Sequence, residues 1–459
     1  MTRLIVRFPD SLRQERAYAA HVVLQVQLGI AHDTVFEART DVSIQASNDP
    51  TRSLRLPDSV FAAGEAGWPA TAARPAAVDA SGIRCRPPAS RSVEGSAGGD
   101  VVDGPFELDV DVFGTAFWYL TRLEEVLADV RDEHGRFPVE ASLDDNQRPT
   151  VDLMVDAFGD CLKALWPALE LRRQAFSVAP THDVDRPFKH LFQSPRKLLR
   201  GMARDALNRT PAFQIAKAPW LRYRVRAGNL PLDPFNTFEW LMDRSDELGV
   251  KSTFYFICTD EPGGIDGDYR VDDPRIRGLI RRIHDRGHLI GLHGSYMSAY
   301  DPVRLRAEVE RLRSACASEG IELDRIRARQ HVLRFEPRRT VGVWADAGID
   351  EDSTLGHAGR PGFRCGTCRA YPLFDVAGRR MTSVIERPLI VMDVSLTERR
   401  YEALTPAQSN ARIDDLLQQC RQVQGTFVLL WHNCRLDNAV ARAMYARALA
   451  PSASLQAPL

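Results

Sequence analysis

Thr181-His182-Asp183-Val184-Asp185 closes an apolar run, Ala175-Phe176-Ser177-Val178-Ala179, that reads as a short buried strand. Residues i and i+2 of a pleated strand share a face, so Asp183 and Asp185 look into one space while Val184 turns away. Two carboxylates in one space rarely stay equivalent. One is neutralised by a cation or has its pKa raised, and acid/base and metal chemistry depend on that division. Taken alone, Asp-x-Asp is also an ordinary way to begin a turn, so the reading rests on what the rest of the chain brings to it.

Downstream of residue 233 the chain alternates regularly. Asn236-Thr237-Phe238-Glu239 offers the N-cap and N3 carboxylate of a capping box, and Gly249 closes that helix before the strand Ser252 to Ile257. A helix from Pro274 to Arg286 lines up Ile276, Leu279, Ile280 and Ile283 and leads to the strand His288 to His293. Asp301-Pro302 starts a helix carrying Leu305, Val309, Leu312 and Cys316, followed by an extended run from Arg325 to Gln330. A helix from Pro337 to Ala347, the run Pro388 to Asp393, the helix Pro406 to Gln422 and the strand Thr426 to His432 complete the series. Strands alternating with such helices predict an α/β fold with a parallel sheet closed or nearly closed into a distorted (β/α) barrel over residues 175–440, about 260 residues long.

Residues 1–174 form an accessory α+β domain in this reading. It holds a helix from Ser11 to Gly29, extended runs such as Val42-Ser43-Ile44, and a Gly/Ser/Pro-rich loop or hairpin from Asp79 to Asp103 that includes Ser96-Ala97-Gly98-Gly99. A helix from Asp111 to Glu125 carries an aromatic face suited to a core or a domain interface, and another runs from Val151 to Leu165. Residues 190–232 are an insertion in the barrel, and 196–226 within it hold nine Arg and Lys against the single acid Asp205, with Trp220 and Tyr223 interleaved. That stretch reads as a solvated helical face or as a cradle for phosphate or an anionic membrane surface. Residues 441–459 are a tail.

With 60 basic and 61 acidic residues the chain has no global bias toward nucleic acid or membrane, and no nucleic-acid partner is expected. The N-terminus lacks the pattern of a signal peptide, which favours a soluble cytoplasmic protein. Eight scattered cysteines favour reduced thiols, and Cys365-Gly366-Thr367-Cys368 reads as a turn with packed thiols rather than half a zinc knuckle.

In a (β/α) barrel the working side chains project from the C-terminal strand ends. Here those ends carry Asp183 with Asp185, His293, Arg329 with His331, Asp352, and His432. A single histidine there is usually structural, whereas five such ends point to a metal-dependent hydrolytic site.

The same residues carry a family resemblance. Thr181-His182-Asp183-Val184-Asp185, Gly291-Leu292-His293-Gly294-Ser295, Arg329-Gln330-His331, Asp352-Ser353 and Leu430-Trp431-His432 follow the motif order of polysaccharide deacetylases with the NodB homology domain, carbohydrate esterase family four. The resemblance spans about residues 176 to 436 and resides in the ordered set rather than in any one motif. The run Asp111 to Phe117 and Gly135-Arg136-Phe137-Pro138 resemble the extra domain of a subgroup associated with surface-polysaccharide gene clusters.

The chain departs from the family pattern twice. The second histidine of His-Ser-x-x-His is Met297, a poor zinc ligand, and Arg-x-Pro-Tyr appears as Arg329-Gln330-His331-Val332. His331, two residues after Arg329, is therefore expected to supply the missing ligand, with His288 and His357 in reserve. The resemblance implies that Asp185, His293 and His331 hold Zn²⁺ or another divalent transition metal. It implies Asp183 as base, Arg329 as its partner and His432 as acid, with Asp393 or Asp352 orienting His432. Asp352, Arg360, Arg364 and Trp431 are expected to contact substrate, the two arginines from a loop over the site.

The activity implied is removal of an acetyl or formyl group from an N-acylated amino sugar, nucleotide- or lipid-diphosphate-linked, in O-antigen (lipopolysaccharide) or capsule biosynthesis. Peripheral membrane contact would run through 196–226. Two other readings stay open: a degenerate member that binds glycan or a partner, suggested by Met297, and a glycosidase, which leaves the histidines without roles.

Overall fold

The computed structural model describes residues 2–87, 105–144, 146–207 and 211–449. The run Ser96-Ala97-Gly98-Gly99, Arg209 and the chain beyond 449 lie outside the described residues.

Five strands form a first sheet: β1 (Leu4–Pro9), β2 (His32–Glu37), β3 (Val42–Ala46), β4 (Asp49–Leu56) and β5 (Phe106–Glu107), in the order β2-β1-β3-β4-β5. Alternation sets its inner face, since Leu4, Val6 and Phe8 are buried between half-buried neighbours. The segment expected as one helix from Ser11 to Gly29 is an α-helix, Arg13–Ala20, that widens into a π-helix over His21–Gln27.

The second sheet has nine strands: β6 (Ser177–Val184), β7 (Thr253–Ile257), β8 (Leu289–Gly294), β9 (Arg327–Gln330), β10 (Glu351–Asp352), β11 (Tyr371–Asp375), β12 (Arg380–Glu386), β13 (Val391–Met392) and β14 (Thr426–Leu430). Their order is β11-β12-β10-β9-β8-β7-β6-β14-β13, parallel throughout except for the β11–β12 hairpin. The sheet curls, but β11 and β13 are edges and do not pair, so the expected closed or nearly closed barrel is an open half-barrel. Strands β10 and β13, two residues each, offer too short a ladder to carry the curl round to closure.

The open edge at β11 is covered by the N-terminal segment. The Tyr18 hydroxyl donates to the Pro372 carbonyl at 2.9 Å, and the Phe117 ring meets Phe374 edge-on at 5.3 Å. A covered edge no longer invites strand pairing from another molecule. The aromatic face of the helix Val112–Leu120 is thus an interface between the two sheets' layers. Behind it lies a fully buried ion cluster. Glu125 accepts two hydrogen bonds from Arg364, at 2.9 and 2.7 Å, and one from Arg122 at 2.8 Å, while Arg122 also donates to the Arg364 carbonyl.

One smaller expectation changes. The capping box at 236–239 does not form: the helix starts at Phe238 with Thr237 as its N-cap, and Asn236 donates its side-chain amide to the Leu230 carbonyl instead. The basic insertion is a pair of helices, Pro195–Leu207 and Ala212–Arg226. Cys365 and Cys368 are buried free thiols, and Cys368 packs against Asp152.

Candidate metal centre

The C-terminal ends of β6, β8, β9, β13 and β14 converge on a cleft of about 200 Å³ lined by Asp183, Asp185, His293, His331 and His432. Asp183 is the penultimate residue of β6, and Asp185 is the first residue after the strand. The turn below them is pinned by Tyr269, whose hydroxyl donates to the Val184 carbonyl at 2.8 Å and accepts from Ile257 N–H at 2.7 Å. Gly267 lies in left-handed backbone (φ 80°) with its Cα against the Asp185 carbonyl, where a Cβ would collide.

Arg329, fully buried on β9, spends its guanidinium entirely inside the fold. It donates to the Ser353 carbonyl and hydroxyl, to Thr181 Oγ1, and at 2.9 Å to Asp183 Oδ1, above the Tyr255 ring. Burial alone would raise the Asp183 pKa, but His293, Arg329 and His432 outweigh it and hold the carboxyl below its usual range. Asp183 is therefore an oriented carboxylate with its second oxygen toward the cleft.

Each of the three histidines is held from behind through Nδ1. His293 Nδ1 lies 2.9 Å from the Arg329 carbonyl, which can only accept, so Nδ1 donates and Nε2 faces the cleft. His331 Nδ1 lies 2.7 Å from Asp266 Oδ1, and His432 Nδ1 2.8 Å from Asp393 Oδ1. Asp393 also accepts from the His432 backbone N–H at 3.0 Å, which locks the pair. Of the two carboxylates expected as partners of His432, the structure pairs it with Asp393.

The Nε2 atoms meet at Asp185. Its Oδ1 lies 3.2 Å from His293 Nε2 and 3.8 Å from His331 Nε2, and its Oδ2 is 3.6 Å from His432 Nε2. Asp185, His293 and His331 form a donor set within 4.8 Å, the one such group of three or more among the described residues. Asp185 Oδ1 is buried with no hydrogen-bond partner. Ligands bound at about 2.0–2.2 Å in tetrahedral array sit about 3.3–3.5 Å apart, close to the separations here. A buried orphan carboxylate oxygen facing two imidazole lone pairs is a set of acceptors without a donor, and a cation satisfies all three. The residues present fit a divalent transition metal. Met297 is exposed in the turn Tyr296–Tyr300 and takes no part. His288 accepts from Ser252 N–H at the start of β8, and His357 is buried away from the donor set.

His432 is buried, which by itself would lower its pKa. Asp393 first, and Asp185 and Asp183 after it, reverse this and raise it to about 9.

All four residues expected to touch substrate lie outside the cleft. Asp352 is fully buried, accepts from Thr354 and pairs with Glu386, where burial pushes both carboxyls up. Arg364 is consumed by Glu125. Arg360 faces outward beside Glu402. Trp431 packs under the sheet against Tyr445, and its carbonyl accepts from His182.

The cleft wall is built by residues outside those expectations: His134 and Arg136 from the N-terminal segment, and Arg186, Arg400, Tyr401 and Arg435. Arg136 donates to the Val332 carbonyl at 2.8 Å. Val332 and Leu333, directly after His331, both hold φ 54°, backbone that costs about 1–2 kcal/mol per side chain. This strain is stored beside the donor set. Asp266, on the loop after β7, carries no periodicity or motif; only an unassigned acid facing His331 would have marked it.

Residues 4–167 match a family model described as a family of unknown function (DUF7033). No curated protein matches the chain. A crystal structure of a protein from Mycobacterium smegmatis, named provisionally as a polysaccharide deacetylase, aligns with 20% identity and a TM-score of 0.38, over 61% of this chain and 84% of that one.

Proposed function

We propose that the protein is a metal-dependent hydrolase that removes an acetyl or formyl group from an N-acylated amino sugar during assembly of a surface polysaccharide such as an O-antigen or capsule. The observation that carries this reading is a donor set, Asp185, His293 and His331, flanked by an Arg329-clamped carboxylate and an Asp393-backed imidazole.

A divalent metal held by those three residues would supply Lewis acidity, acidifying water and polarising the acyl carbonyl. Asp183 accepts the proton of the attacking water on the oxygen that Arg329 leaves free, and Arg329 keeps the carboxylate aimed and ionised. His432 gives its Nε2 proton to the departing amine, and Asp393 fixes the ring so that this proton faces the cleft. Asp266 orients His331 in the same manner. A base and an acid both beside one donor set favour catalysis over glycan binding, which needs neither.

The test is release of acetate or formate from a panel of free, nucleotide-linked and lipid-diphosphate-linked N-acyl amino sugars by the metal-loaded protein. Release that disappears in Asp183→Asn supports the reading, and absence of release across the panel from fully metallated protein overturns it.

A further inference from the structure

A second depression continues from the cleft. This groove of about 730 Å³ shares Asp185 and Arg186 with the cleft, so the two are one surface feature. Its floor is aromatic, with Phe188, Phe192, Phe235 and Tyr269, and its rim is cationic. Arg186 and Lys189 lie over the Phe235 ring at 5.2 and 5.8 Å, and Lys197 is paired with Asp268. Arg200 and Arg204 line the groove without an ion-pair or hydrogen-bond partner among the described residues. An aromatic floor under a rim of unpaired guanidinium groups suits a phosphate group whose other end is apolar.

The roof of the groove is the helix Pro195–Leu207, and its partner Ala212–Arg226 lies beside it. Fourteen large apolar side chains are exposed among the described residues, and five of them fall on these two helices: Leu199, Leu207, Phe213, Trp220 and Tyr223, each at least half exposed. Cations interleave with them: Lys217 lies 5.3 Å from the Phe213 ring and Arg224 5.6 Å from Trp220. Exposed aromatic and aliphatic side chains set among Arg and Lys, with almost no acid, match the polar–apolar boundary of an anionic bilayer in both charge and hydropathy. No helix among the described residues is long and apolar enough to cross a membrane, so the contact would be at the interface.

We propose that this helical pair docks on an anionic phospholipid surface, and that the groove beneath it takes the phosphate of a lipid-linked amino sugar on its way to the metal centre. The docking half stands by itself; the sugar half rests on the deacylase reading. Docking seats the phosphate at headgroup depth, and Arg186, common to groove and cleft, leads from it to the donor set.

The experiment is co-sedimentation of the full chain with vesicles of phosphatidylcholine alone and of phosphatidylcholine mixed with phosphatidylglycerol. Binding is expected to the mixed vesicles only. Arg200→Glu/Arg204→Glu should lose about tenfold or more in affinity, since each basic residue near such a surface contributes about 1 kcal/mol. Phe213→Ser/Tyr223→Ser should also lose binding. A third measurement does not depend on the folding of either double variant: mixed vesicles should blue-shift tryptophan emission in the wild type and leave Trp220→Phe unshifted. Equal binding to both vesicle types, or none to either, overturns the proposal. So does binding of uridine diphosphate in solution, abolished by Arg200→Glu/Arg204→Glu, in protein that ignores mixed vesicles; the groove would then belong to a nucleotide-linked substrate. Asp183→Asn should bind mixed vesicles as the wild type does, so failure of the deacylase reading leaves this measurement standing.

Discussion

Two of the buried charge clusters among the described residues are built in opposite ways. In the first, Glu125 sits between Arg122 and Arg364, and every oxygen of the carboxylate is matched by a donor. In the second, Arg329 satisfies one oxygen of Asp183 and leaves the other toward the cleft, and Asp185 keeps a buried oxygen with no partner, opposite two imidazole nitrogens whose far sides are already committed. Burial costs both clusters alike. The first recovers it by joining the N-terminal segment to the half-barrel. The second leaves it unrecovered at one point, and that point is where a ligand belongs. Satisfaction of the acceptors, rather than burial or charge, separates these two clusters.

That contrast makes predictions of decreasing size. In the cleft, Asp183→Asn should cut turnover by about a thousandfold while leaving the fold and metal content intact. In the ion cluster, Glu125→Ala should leave two buried guanidinium groups unpaired and destabilise the protein by about 3–5 kcal/mol, measured by denaturant unfolding. Asp266→Asn should weaken metal affinity by about 10–100-fold with little change in unfolding midpoint, since the amide oxygen can still accept from Tyr296 N–H while the charge behind His331 is lost. A large loss of stability there would erase the distinction between the clusters.

The clusters also differ toward acid. Although burial opposes it, Arg364 and Arg122 push the Glu125 carboxyl down from its ordinary 4.5 to about 2. A pKa lowered by folding stabilises the protein fully above about pH 4.5, and the contribution is lost as pH falls through about 2. Glu125→Gln should remove this part of the acid dependence, seen as a flatter unfolding free energy across that window.

Much of the cleft was legible because strand ends are. Apolar runs stopping at Asp183, His293, Arg329 and His432 mark where a parallel sheet presents its side chains, and the helix Pro406–Gln422 lies where its proline and apolar period place it. The spacing of His331 from Arg329 was equally informative, and the structure brings its Nε2 to the donor set. What escaped has physical reasons. Strands of two residues leave no pattern, so the failure of the sheet to close was invisible. Arg364 looked like a substrate clamp because its partner Glu125 is 239 residues away. Asp352 does stand at a strand end, but its neighbour Glu386 and the hydroxyl of Thr354 turn it inward. Asp266 sits in a loop among glycines, where neither period nor motif points to it.

The most direct measurement is the metal content of the purified, reconstituted protein beside Asp185→Ala, His331→Ala and Met297→Ala. About one equivalent of zinc or a similar transition metal is expected in the wild type, lost in the first two variants and retained in Met297→Ala, whose side chain points into solvent. A wild type that takes up no metal, or variants at Asp185 and His331 that keep it, would contradict the account.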